Sequence, residues 1–76
     1  MRDDVRWVLA LASVEPLAPV TAGGVLAGRA VDGRPCRVPG RMRRACESCV
    51  EEGWLARRPV ARPGRGLVYG YHLTPE

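Results

Sequence analysis

Between Val38 and Leu55 the chain reads Val38-Pro39-Gly40-Arg41-Met42-Arg43-Arg44-Ala45-Cys46-Glu47-Ser48-Cys49-Val50-Glu51-Glu52-Gly53-Trp54-Leu55. Met42, Ala45, Cys46 and Cys49, with Gly53, recur at three- and four-residue spacing and define the inward side of a helix. Arg41, Arg44, Ser48 and Glu51 recur at the same spacing on another side. Pro39 suits a first helical turn, where its missing N–H is harmless, and Gly53 suits the position just past the last turn. The pattern then changes period. On the return limb of a hairpin turning at Pro63-Gly64-Arg65-Gly66, Leu67, Tyr69, Tyr71 and Leu73 share one face, and Val68, Gly70 and His72 share the other. A cationic helix from about 39 to 52 running straight into a basic hairpin restricts the chain to an α+β arrangement in which the hairpin packs against that helix.

The preceding half is expected to supply the rest of a small core. Asp3 or Asp4 can cap a first helix, in which Val5, Val8, Leu9 and Ala12 fall on one face, flanked by Trp7 and Leu11. Pro16 and Pro19 end it and leave Leu17 to Val20 extended, as a short first strand. Thr21 is then a plausible N-cap for a second helix over about Ala22 to Val31, with Val25, Leu26 and Ala30 inward. Gly23 and Gly24 cost such a helix about 1 kcal/mol each relative to Ala, so packing must hold it. Asp32-Gly33-Arg34-Pro35 signals a turn, and Cys36-Arg37-Val38 a loop leading into the third helix.

Seventy-six residues make one domain, 1–76, with a modest core. A hydrophobic fraction of 46% with 26% charged residues argues against global disorder. The net charge is +4, but residues 34–66 alone hold nine Arg against three Glu. That clustering favours a polyanionic partner. Every basic residue except His72 is Arg, and Lys, Asn, Gln, Ile and Phe are absent. Arg, Ala, Gly and Pro have GC-rich codons, which explains much of the composition and none of the clustering. There is no signal-peptide layout and no apolar run of membrane-spanning length, so a cytoplasmic protein without a membrane partner is expected. Three cysteines without a signal fit a reducing compartment rather than a disulfide framework.

Two of these stretches carry a family likeness. Pro39-Gly40, Met42, Cys46, Cys49 and Glu51-Glu52-Gly53-Trp54-Leu55 follow, without gaps, the third-helix pattern of the bacterial PadR-type regulators, with two cysteines where that family keeps leucine and Arg43 where it often has an aromatic. Gly64-Arg65, followed by Tyr69-Gly70-Tyr71-His72-Leu73-Thr74-Pro75-Glu76, is similar to their wing and its exit. Together the two motifs cover about half of the chain, which also resembles the MarR type more loosely. The resemblance implies a winged helix-turn-helix: three helices and a two- or three-stranded antiparallel wing. It implies a minimal DNA-binding domain without the C-terminal helices into which that family continues. The implied activity is sequence-specific binding of double-stranded DNA, in transcription regulation.

On that reading helix 39–52 enters the major groove. Arg41 and Arg44 face base edges, where Arg pairs bidentately with guanine. Arg37, Arg43 and Ser48 accompany them, Arg37 and Arg43 as phosphate contacts. Arg62 and Arg65, in the 61–66 wing, hold the backbone. A lone domain covers one half-site, so a homodimer or a protein partner is expected. Tyr69 and Tyr71 are expected to pack the return strand against the third helix. Two other readings stand beside this one. The first is a protein-interaction adaptor docking through Trp7, Leu11 and Val14. The second is a metal or redox sensor built on Cys36, Cys46, Cys49 and His72. Cys46 and Cys49 also fit a plain core role, and the cysteine spacing is poor for a zinc site. No nucleophile–base pairing or phosphate-cradling loop stands out, so no enzyme, cofactor or resident metal is expected.

Overall fold

The computed structural model describes residues 2–20, 24–62, 64 and 66–75. The chain is α+β, with two α-helices and antiparallel sheets among the described residues. Helix α1 spans Asp3–Ala12 and ends before the Pro16 to Pro19 stretch, where β1 is the two residues Ala18–Pro19. Strand β2 is Leu26–Arg29 and β3 is Pro35–Val38. A 3-10 turn over Gly40–Met42 leads into α2, Arg43–Glu51. Strands β4, Leu55–Arg62, and β5, Gly66–Leu73, close the order.

The main departure from expectation is the segment read as a second helix. Its described part forms β2, pairing Ala18 with Ala27 on one side and Ala27 with Arg37 on the other. Thr21, the expected cap, and Ala22 lie outside the described residues. Two physical causes are visible. Gly28 lies directly under Leu17, and a Cβ there would sit 2.5 Å from Leu17 Cδ2, so the close approach requires glycine. Asp32-Gly33 closes a hairpin rather than ending a helix. Ala30 N–H donates to the Arg34 carbonyl (3.0 Å), Gly33 N–H to the Ala30 carbonyl (2.9 Å), and Asp32 Oδ1 accepts from Arg34 N–H (3.0 Å). Cys36 and Arg37 accordingly stand on a strand, not in a loop.

The two sheets, β1-β2-β3 and β4-β5, meet at one rung. Leu17 N–H donates to the Tyr71 carbonyl (3.1 Å), and Tyr71 N–H to the Leu17 carbonyl (2.7 Å). Helix α1 packs on α2, β2 and β5. Val5, Val8, Leu11, Leu17, Leu26, Val38, Cys46, Cys49, Leu55 and Tyr71 belong to one buried cluster. Leu11 is therefore core rather than docking surface, while Trp7 and Val14 remain partly exposed. Arg2, not Asp3 or Asp4, takes the N-cap position of α1. The two aspartates stand in its first turn, where the positive end of the helix dipole favours them. No helix among the described residues is long and apolar enough to cross a membrane.

Candidate nucleic-acid interface

The helix expected over 39–52 is shorter as an α-helix. Pro39 occupies the N-cap of the 3-10 turn and accepts from Met42 N–H (2.9 Å). Gly53, at φ +80°, ends α2. Its N–H donates to the Val50 carbonyl (3.0 Å) and that of Trp54 to the Cys49 carbonyl (2.9 Å), the paired bonds of a Schellman cap. Met42, Ala45, Cys46 and Cys49 are buried, which turns Arg41, Arg43 and Arg44 outward at the N-terminal end and Glu51 and Glu52 outward at the other. Ser48 is half-buried in mid-helix. This order of charge opposes the helix dipole, which favours anions at the N-terminus and cations at the C-terminus.

Glu47, the remaining acid of α2, turns toward the hairpin. It accepts a very short hydrogen bond from Tyr71 Oη and pairs with Arg57 Nη1 at 3.6 Å. Burial first, and the bond to Glu47 second, push the Tyr71 hydroxyl pKa upward, against the opposing pull of Arg43. Arg43 also lies against Gly24, its Nη1 within 3.5 Å of where a Cβ would stand. Arg43 thus differs from its neighbours by leaning toward the sheet. Arg37 on β3, Arg41 in the 3-10 turn, Arg44 on α2 and Arg58 on β4 are exposed and form no ion pair among the described residues. Glutamates therefore leave uncovered the cations of one continuous stretch, 37–44.

In the β4–β5 hairpin, Arg62 sits on the outermost rung opposite Gly66. It is half-buried rather than fully solvated. Its Nε and Nη2 are shielded and find no acceptor among the described residues. It lines an open hollow with Ala61, Gly66 and Leu67. Arg65, expected beside it, lies outside the described residues. Tyr71 packs as expected at 2% exposure, but Tyr69 does not, at 68%. A nine-residue helix is about 13.5 Å long, whereas an eight-residue strand runs about 26 Å. Helix α2 therefore covers only the inner rungs. Sequence reasoning missed Arg57 and Arg58 as surface cations and Leu67 and Tyr69 as exposed apolar groups. Period-two alternation groups Leu67 with Tyr69 but is silent on where the covering helix ends.

Cys46 and Cys49 are fully buried. Burial first, then the charges of Cys49 and Glu47, push the Cys46 thiol from 9.0 to about 12, and burial raises Cys49 as well. Thiols held protonated in this way pack as small hydrophobes of the core. Cys36 is half-buried on β3, and His72 is half-buried with its Nε2 lacking a partner among the described residues. Among the described residues no group of three His, Cys, Asp or Glu side chains is placed to hold a metal ion. No protein-family model matches the chain, and neither a curated protein nor a solved structure matches it significantly.

Proposed function

We propose that this protein binds double-stranded DNA in the manner of a winged helix, with a β-hairpin, β2–β3, standing where the first helix of the helix-turn-helix was expected. The order α1, β1, α2, β4, β5 and the rung between Leu17, just before β1, and Tyr71 of β5 support that reading. The observation that carries it is the reversed charge order of α2. Arg41, in the 3-10 turn, and Arg44 stand exposed at the end of the helix where a cation is least favourable to the fold and form no ion pair among the described residues, and Glu47, the acid of α2 nearest to them in sequence, is engaged with Tyr71 and Arg57. Such cations are free to meet base edges in the major groove, with Arg37 and Arg58 on phosphates. One copy covers a half-site, so tight binding requires two copies on a palindrome or a protein partner. The role that follows is transcription regulation.

Fluorescence anisotropy with a labelled duplex over a salt series tests this. Affinity falls steeply as salt rises, because neutralised phosphates release counterions. Arg41→Ala and Arg44→Ala each cost about 1–3 kcal/mol and relax base preference, while Arg58→Ala weakens all sequences alike and lowers the salt slope by about one. No binding at low salt, or wild-type affinity in all three variants, sinks the proposal.

A further inference from the structure

The outer rungs of the β4–β5 hairpin have an apolar face that the fold does not use. Pro59 pairs with Tyr69 and Ala61 with Leu67, so all four project to the side on which Leu55 and Tyr71 meet the core further in. All four are exposed, Leu67 at 72%. The molecule measures 35 × 24 × 23 Å, and strands of about 26 Å carry these rungs beyond the end of α2. A large apolar surface on a projecting arm normally marks a contact.

Charge decides with what. From Gly53 to Pro75 the chain holds no Asp or Glu, and the described part of the arm carries Arg57, Arg58 and Arg62. A second copy seated here would bring two such arms together and repel. A polyanion gains from Arg58 and Arg62, which form no ion pair among the described residues, and from the field of Arg57 beside Glu47. We infer that the Leu67–Tyr69 face is a wedge that enters the minor groove of duplex DNA and unstacks a base step, kinking the site, while the arginines of the arm, Arg58 and Arg62 on its opposite side included, lend the positive field that draws it there. This rests on the DNA-binding reading above and adds to it a deformed target. Apolar side chains inserted in this way open a kink of about 20–90°, at least cost at a flexible pyrimidine–purine step.

The experiment uses the whole protein and a short duplex with donor and acceptor dyes at its ends and 2-aminopurine at a central TA step. Anisotropy on the same duplex reports binding separately. At saturation the wild type shortens the end-to-end distance and brightens 2-aminopurine. Leu67→Ala with Tyr69→Ala, both on exposed side chains, still saturates the duplex but leaves it straight and dark. Tyr69→Phe restores both signals, and Arg58→Ala lowers affinity yet keeps the bend once saturated. A wild-type complex that is bound but straight overturns the wedge and leaves DNA binding standing. The same holds for a double variant that bends DNA as the wild type does. Absence of wild-type binding at low salt overturns both. Sedimentation showing a dimer that the double variant dissolves overturns the wedge in favour of a second copy.

Discussion

The two helices are of similar length, and each buries an apolar stripe, yet their charges are arranged in opposite ways. Helix α1 puts Asp3 and Asp4 in its first turn and buries Val5, Val8, Leu11 and Ala12. Helix α2 begins with Arg43 and Arg44, ends with Glu51 and Glu52, and buries Ala45, Cys46 and Cys49. A charge on the favourable end of a helix is worth about 0.3–1 kcal/mol at an exposed site, so α1 gains where α2 loses. The apolar stripe of α2 is also the leaner, with cysteine and alanine where α1 has valine and leucine. Helix α2 is held by burial and by its Gly53 cap, not by its surface. On the DNA-binding proposal, the contrast divides the two helices: α1 is arranged for the fold and α2 for a partner.

The largest expected effect belongs to α1. Leu11→Ala removes a 4% exposed leucine and costs about 2–5 kcal/mol in urea unfolding, while the DNA affinity of the folded protein is unchanged. Lost affinity in a variant that remains folded would break the division of labour. The second effect lies in α2 and is read from pH. With the Cys46 thiol raised from 9.0 to about 12, the folded state keeps a proton that the unfolded state releases. The stability tied to the neutral thiol is complete below pH 9 and disappears as pH climbs toward 12. Alkaline unfolding followed by circular dichroism therefore sets in earlier for the wild type than for Cys46→Ala, each relative to its own stability at pH 7. Identical alkaline limbs would count against a desolvated thiol.

The smallest effects sharpen the comparison most. Arg44→Glu places an anion at the start of α2 and raises stability by about 0.3–1 kcal/mol, while duplex binding falls at least as far as in Arg44→Ala. Asp3→Arg, the reciprocal change in α1, lowers stability by about the same amount and leaves binding intact. Paired thermal melts and anisotropy titrations check both. If the two substitutions move stability in the same direction, the dipole argument fails.

The outline of α2 and of the β4–β5 hairpin was legible because each depends on rules local to a few residues. Apolar spacing put Met42, Ala45, Cys46 and Cys49 on the buried side correctly, whereas Gly53, grouped with them, is exposed and instead adopts the positive φ that its place after the helix predicts. Along β5, alternation put Tyr71 and Tyr69 on one face, but exposure separates them because α2 is too short to reach both. Arg41 and Arg44 were recognisable as outward-facing from spacing alone. That Arg43 leans toward Gly24 and Tyr71, and that Glu47 turns to the hairpin rather than shielding the arginines, depends on residues far along the chain.

What this sequence determined by itself is what an isolated segment can decide: two amphipathic helices, a two-stranded arm, the ends set by proline and glycine, and a positive field centred on residues 34–66. What only the tertiary structure decided is the state of Leu26–Arg29 and the exposure of the arm. Val25, Leu26 and Ala30 suit a helix as well as a strand. The choice fell to partners outside the segment, namely Ala18 and Pro19 on one edge, Pro35 to Val38 on the other, and Leu17 pressed onto Gly28. A helix satisfies its backbone within itself, but a strand is stable only when distant residues complete its hydrogen bonds, and local pattern carries no information about that.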